Sequence, residues 1–142
     1  MLLAKGVAGL EEKKSVSSLI KNISPELNSG EFVFCTVTDQ KALEGINLIC
    51  SFREKESITA ILPRQAADER GLPYSYIAAW ITLNVYSPLD SVGFTALFAN
   101  ALAKEGIGCN VVAAYYHDHV FVPVNEAERA MKVLQSLMET SA

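Results

Sequence analysis

The sequence is short of several features on which common functions depend. Its 142 residues contain no apolar run near the roughly 20 residues that a membrane-spanning helix needs. Lysine and arginine number 12 against 16 aspartate and glutamate, which gives a net charge of −4 and no basic stripe. Nucleic-acid-binding domains usually carry such a stripe, so we expect neither a nucleic acid nor a membrane as partner.

Cysteine is scarce and irregularly placed. The chain has three cysteines, Cys35, Cys50 and Cys109, each in or beside an apolar stretch. An odd count without regular spacing predicts buried, reduced thiols rather than a disulfide framework or a metal site. The first residues, Met-Leu-Leu-Ala, lack the basic segment and the hydrophobic core of a secretory leader, so we expect a cytoplasmic protein.

Catalytic motifs are missing as well. The chain contains no Gly-x-Ser-x-Gly, no phosphate-binding P-loop and no Gly-x-Gly-x-x-Gly. The carboxylates of Asp90 and Asp118 belong to no shared motif. The spacing of Ser91, His117 and Asp118 does not favour a catalytic triad. We therefore expect neither enzymatic activity nor a cofactor.

What is present predicts a globular protein. Half of the residues are hydrophobic and a fifth are charged, which is typical of a packed core. The elements predicted in the first half are a helix at 9–21, a break at 24–30, strands at 32–37, 46–52 and 57–62, and two helical turns at 64–70. Residues 71–75, which include Gly71 and Pro73, are the best internal boundary.

The second half has clearer signals. Its predicted elements are a strand at 76–86, a helix from 87 to 104, a hairpin of 109–114 and 120–124 that reverses at 117–119, and a last helix capped by Asn125. In the first of these helices Ser87 is predicted as the N-cap, Pro88 as the first helical residue, and Asp90 as the acidic partner of a capping box.

The two halves share a hairpin followed by a helix, which predicts a degenerate internal duplication. We assign residues 1–74 to an N-terminal helix and a reduced first module, and residues 75–142 to a second module. The element order favours an α+β fold in which helices pack on one face of antiparallel sheets.

Several segments form a recognisable set. They are the Asp-x-x-Gly pattern at Asp90 and Gly93, the run Leu102–Ile107, the segment Ala114–Pro123, and in the first half Leu48–Glu54 and Leu62–Arg64. Together they resemble the ACT domain, a regulatory βαββαβ module of ferredoxin-like fold. The segment Ala114–Pro123 is similar to that of a small stand-alone bacterial subgroup with ACT modules in tandem. The resemblance implies a regulatory protein that senses an amino acid at an interface between modules.

The chain departs from the family pattern at two places. The first half has no long helix between 32–37 and 46–52, and the second half has no strand after Met138. A strand from the other half or from another subunit therefore has to complete the second sheet. We expect a homodimer, with a regulated protein as a further possible partner.

The turn from Ser87 to Phe94 is the leading predicted ligand site, because amides at a helix start suit a carboxylate. Asp90 is then placed to face an ammonium group, and Gly93 allows close approach. The ligand-binding residues predicted are Ser87, Asp90, Ser91, Val92, Gly93, Phe94, Arg53, His117 and Asp118. The alternative is that Ser87 and Asp90 only cap the helix.

The remaining predicted residues also have simpler interpretations. Arg53 either lines a groove between the repeats as a carboxylate partner or belongs to a solvated turn. His117 and His119 invite a metal, but no third ligand is apparent, so ligand recognition or turn structure is favoured. The alternative function is a protein-interaction or dimerisation module without a small-molecule ligand.

Overall fold

The computed structural model describes residues 24–85 and 89–140. The strands are β1 (Pro25–Val37), β2 (Cys50–Arg53), β3 (Ile58–Pro63), β4 (Ile77–Leu83), β5 (Asn110–Ala113) and β6 (Asp118–Pro123). The α-helices are α1 (Arg64–Arg70), α2 (Phe94–Lys104) and α3 (Ala127–Thr140), with 3-10 helices at Gln40–Leu43 and Val124–Glu126. The predicted helix at 9–21 lies outside the described residues. Within them, no helix has the length and apolar character to cross a bilayer.

All the strands join one antiparallel sheet of six, in the order β2-β3-β1-β4-β6-β5. Each half of the chain contributes a first strand, a helical connection, a hairpin and a helix, as the predicted duplication requires. The registers match as well, because Phe32 lies opposite Pro63 in the first half and Ala78 lies opposite Pro123 in the second. We refer to the two halves as the first and second repeat.

The two repeats meet in the middle of the sheet, where β1 and β4 pair antiparallel. Pro25 lies opposite Leu83 and Val33 lies opposite Ile77. Each repeat supplies three strands of a four-stranded module, and the first strand of the other repeat occupies the remaining position. The strand that the second half lacks is therefore provided by the first, and one continuous sheet replaces the separate sheets predicted.

Side chains alternate between the two faces of this sheet, and the described helices cover one of them. On that face one core forms in each repeat, around Val33 and Leu62 in the first and around Ile81 and Val122 in the second. The buried helical residues there are Ala67, Phe94, Phe98, Leu102, Ala130 and Leu134. The prediction that helices pack on one face is confirmed.

Two predicted boundaries were wrong. The residues predicted as a break at 24–30 instead form the first part of β1. Proline is tolerated at the first residue of a strand, where its missing N–H costs no hydrogen bond of the sheet, and Pro25 is that residue. Gly30, at φ 103°, lies within the irregularity in the pairing of β1 with β4. The helix predicted from Ser87 begins at Phe94, with Gly93 as its N-cap. Asp90 therefore lies in the turn before the helix and is not part of a capping box.

The second hairpin and the last helix also begin at different residues from those predicted. The reversal spans Ala114–His117 and is closed by a hydrogen bond of 3.0 Å from the N–H of Ala114 to the carbonyl of His117. Asp118 and His119 are the first residues of β6. Asn125 lies within the 3-10 turn that precedes α3 and does not cap it.

Candidate ligand-binding site

Most of the predicted site residues come together at one end of the second repeat. β4 ends at Leu83, directly opposite Asp118, and Ala113 lies on the other side of Asp118. The connection that leaves β4 and the β5–β6 turn are consequently at the same end of the sheet. We call residues 89–94 and 114–118 the second tip.

The start of α2 forms one side of the second tip. Gly93 adopts a left-handed conformation, with φ 91° and ψ −11°, and its carbonyl accepts the first hydrogen bond of the helix from the N–H of Leu97, at 3.0 Å. Phe94 is buried against Phe98, with ring centroids 5.4 Å apart, and this anchors the start of the helix. The amides of the first turn lack intrahelical acceptors and carry a partial positive charge, so they suit an anion.

The turn before the helix is accessible. Asp90 is exposed and Ser91 is half-buried. Leu89 is 66% exposed and Val92 is 84% exposed, which is unusual for large apolar side chains. Ser87 lies outside the described residues, so its predicted role stays a prediction.

The β5–β6 turn contributes two titratable groups. The Asp118 side chain is buried, and its desolvation raises the pKa of the carboxyl, although the nearby His117 opposes this. The Nδ1 atom of His117 is buried without a hydrogen-bond partner. Tyr115 and Tyr116 are each about half exposed, with their rings in edge-to-face contact at 4.9 Å.

Arg53 does not join this group. It ends β2, an outer strand of the sheet, opposite Ile58, which in turn lies opposite the end of β1 at Val37. Because β1 and β4 are antiparallel, this end is the far end of the sheet from Leu83. Arg53 is also two strands away from the β1–β4 junction, so it does not line a groove between the repeats. It borders a separate cleft of about 210 Å³.

His119 belongs to a polar cluster that sequence reasoning missed. On the face opposite the described helices, the indole Nε1 of Trp80 donates to Nδ1 of His119 at 3.0 Å, and the hydroxyl of Thr82 lies 3.1 Å from the same atom. Asn28 of the first repeat donates to Thr82 at 2.9 Å and to the carbonyl of Trp80 at 3.2 Å. Because an indole only donates, Nδ1 of His119 is an acceptor and the ring is neutral.

This cluster explains why the two histidines do not act as a pair. His119 is held by Trp80 on one face of β6, whereas His117 lies in the turn before the strand. Among residues 24–85 and 89–140 no group of three or more potential metal ligands is present. Trp80 itself is half-buried among Phe32, Phe121 and His119.

Comparison with known proteins agrees with this architecture. The ACT domain family matches residues 12–79 and again residues 76–136. A crystal structure from Vibrio cholerae, of a protein of unknown function described as a possible transport protein, is 41% identical. That similarity covers 87% of this chain and 96% of the other, with a TM-score of 0.80. Among curated proteins none matches.

More distant structures share the fold. The regulatory subunit of aspartate kinase from Thermus thermophilus, in a ligand-free form, has a TM-score of 0.64 at 13% identity, covering 82% of this chain and 97% of that one. A protein from Agrobacterium tumefaciens has a TM-score of 0.61 at 16% identity, covering 82% and 90%. The two family matches together span residues 12–136, and with the duplicated sheet they establish that the chain belongs to the ACT domain family, as two ACT domains in tandem.

Proposed function

We propose that this protein is a non-catalytic regulator that binds a free amino acid at the second tip. ACT domains are regulatory modules and typically bind amino acids. The observation that carries the assignment to this site is the position of the Asp90–Phe94 turn and the His117–Asp118 pair at the same end of the second repeat. These groups supply the opposite charges that an amino acid's two backbone groups require.

Each part of the ligand has a partner in this arrangement. The amides at the start of α2 bind the α-carboxylate, and Gly93 leaves the backbone accessible to it. The exposed carboxylate of Asp90 pairs with the α-ammonium group. His117 offers Nδ1, which lacks a partner within the described chain, to a polar ligand atom. Ser87, Ser91 and Val92 border the same space in this proposal.

The site is completed, we propose, by a second copy of the chain. The end of the first repeat that carries Arg53 lies at the opposite end of the sheet from the second tip, and backbone pairing occupies the junction between the repeats. In this proposal the module that closes over the second tip comes from another subunit. The exposed apolar side chains of Leu89, Val92, Tyr115 and Tyr116 are suited to such a contact. We further propose that residues 1–74 form the first module and residues 75–142 the second.

The test is a screen of the standard amino acids by thermal shift, followed by calorimetry, on protein that has been unfolded and refolded to remove ligand. A ligand at about 100 times its Kd stabilises the folded state by about 2.7 kcal/mol. Asp90→Ala is expected to abolish the shift, while Glu128→Ala, an exposed carboxylate on α3, leaves it unchanged. Absence of any saturable binder would refute the proposal.

A second candidate function is a protein-interaction module without a small-molecule ligand. It is favoured by the outer strand β2, which carries Phe52 with 71% of its surface exposed. Unpaired strand edges next to exposed aromatic side chains suit the addition of a partner strand. In this case Phe52→Glu weakens capture of a regulated protein, and no amino acid changes the melting temperature.

A further inference from the structure

The sheet face opposite the described helices carries an apolar cluster that spans both repeats. Its buried members are Ile61, Ala78 and Phe121, and partly buried side chains pack around them: Phe34, Ile49, Cys50, Tyr76, Trp80 and Val112. Phe32 borders the cluster, with its ring centroid 5.3 Å from that of Trp80. We call this surface the aromatic face. A sheet normally buries such a face against another layer of structure.

The centre of the aromatic face is out of contact with water within the single chain. Phe121 is 1% exposed and Ile61 is 3% exposed, whereas Phe52, on the same face of the outer strand β2, is 71% exposed. Neighbouring side chains on a sheet shield a ring from the sides, but the outer edge of the ring points away from the strands. A second layer from the same chain therefore covers the centre of this face and does not reach Phe52.

The described residues do not supply this layer. Each described residue of the cluster lies in a strand or directly before one, and α1, α2 and α3 pack against the cores of the other face. Besides the described residues the chain has the segments 1–23, 86–88 and 141–142. The last two are three and two residues long and adjoin the second tip and α3. Residues 1–23 are therefore the segment that is long enough to form the layer.

The position of β1 brings this segment to the aromatic face. Ser24 directly precedes β1, an inner strand of the sheet, and its carbonyl accepts from the N–H of Asn84 at 3.0 Å. Phe32 lies seven residues beyond Pro25 along β1, a distance of about 23 Å. The helix predicted over residues 9–21 is about 20 Å long. Such a helix, antiparallel to β1 and joined to it through residues 22–24, extends over the central strands as far as Phe32.

The sequence of the segment suits an apolar surface on one side only. Apolar side chains recur at the i, i+3, i+4 and i+7 spacing of one helix face, at Val16, Leu19, Ile20 and Ile23. The opposite side of the same helix carries Lys14, Ser18 and Lys21. An apolar stripe of this kind is normally buried against a core, with the polar side toward water.

We propose that residues 9–23 dock on the aromatic face as an amphipathic helix, through the stripe of Val16, Leu19, Ile20 and Ile23. The partner of the aromatic face is then the N-terminal segment of the same chain. The helix covers Phe121, Ile61 and Phe32 and leaves Phe52 exposed, as their burial requires.

Tryptophan fluorescence of the full chain tests the docking, because Trp80 is the single tryptophan and lies on the aromatic face. Leu19→Glu places a carboxylate in the apolar contact, which is unfavourable. We expect this variant to shift Trp80 emission to longer wavelength, to raise its quenching by acrylamide and to gain binding of an apolar dye. Ser18→Glu introduces the same charge on the polar side of the helix and is the matched control, expected to behave as wild type. Equal emission and quenching in wild type and Leu19→Glu would overturn the proposal.

NMR of the unmodified full chain tests the contact directly. Nuclear Overhauser effects are expected from the methyl groups of Leu19 and Ile20 to the ring protons of Trp80 and Phe121. Their absence would overturn the proposal. Effects that arise only between labelled and unlabelled chains in a mixed sample would also overturn it, because a second copy would then supply the cover. The contact is independent of the amino-acid site at the second tip, so a chain that binds no amino acid still shows these effects.

Discussion

His119 provides the most specific test of the polar cluster that it forms with Trp80 and Thr82, because its hydrogen bonds fix its charge. Nδ1 accepts from Trp80 at 3.0 Å and lies 3.1 Å from the Thr82 hydroxyl. Protonation of Nδ1 would replace the acceptor with a donor and break the bond to the indole. Burial, with a smaller contribution from His117, lowers the pKa of His119 below 6.5.

The direction of the pH effect follows from this lowered pKa. Below pH 6.5 the unfolded chain binds a proton at this residue more readily than the folded chain does. The contribution of neutral His119 is therefore fully present above pH 6.5 and is lost as the pH falls toward its folded pKa. Asp118 acts in the opposite direction, because its raised pKa makes the folded state bind a proton more readily as the pH falls. Only a comparison with a variant isolates the histidine.

The magnitude is set by two limits. A single histidine changes the free energy of unfolding by at most about 1.4 kcal/mol per pH unit. The Trp80 bond at 3.0 Å is a neutral hydrogen bond, and such bonds contribute about 1 kcal/mol each. We therefore expect His119→Gln, which cannot titrate, to remove a pH-dependent loss of about 1 kcal/mol between pH 7.5 and pH 5.

Urea denaturation measures this effect. The free energy of unfolding is obtained at pH 7.5, 6.5, 5.5 and 5 for wild type and His119→Gln, with an unchanged m-value required for the comparison. Trp80, the single tryptophan, is also a direct fluorescence probe of the cluster. The reasoning is refuted if the wild type and the variant lose stability in parallel as the pH falls.

Three further predictions concern the helix face. Phe98→Ala removes a fully buried ring of α2 and is expected to lower the free energy of unfolding by about 3–5 kcal/mol in denaturant titrations; a change below about 1 kcal/mol would contradict the assigned core. Gly93→Ala places a Cβ at φ 91°, which costs about 1–2 kcal/mol, measurable as a lower urea midpoint. Cys35 is buried, and its burial raises the pKa of the thiol. We expect Cys35 to react with a thiol reagent only after denaturation. Rapid labelling of Cys35 in native protein, identified by peptide mapping, would contradict this.

Local patterns were sufficient for much of the second repeat. The alternation in β6 and the apolar spacing of α2 predicted both elements. The helix ends at Lys104, as predicted, and Gly106 follows it at φ 73°. The predicted start of α2 was wrong, because the sequence Ser87-Pro88 is a strong local signal for the start of a helix. The buried position of Phe94 and the left-handed Gly93 place it later in the chain. Packing of a buried ring outweighed a capping preference worth about 1 kcal/mol.

The long-range features had no local signal. Nothing in the alternation of β1 identifies β4 as its neighbour, since any half-buried strand offers the same ladder groups. The cluster of Asn28, Trp80 and His119 depends on the register of three strands far apart in sequence. The cleft that Arg53 borders was also missed, although the short connection after β1 was recognised. An absent helix indicates an opening only once the position of its counterpart in the other repeat is known.

Short-range patterns were sufficient to predict the α+β composition, the duplicated order of elements and the resemblance to the ACT family, because periodicity and turn residues act over short distances. The folded structure was needed to show that β1 and β4 join both repeats into one sheet. It also placed Arg53 at the opposite end from Asp118 and bonded His119 to Trp80. These outcomes depend on which surfaces exclude water together, a property of the whole fold that no single segment contains.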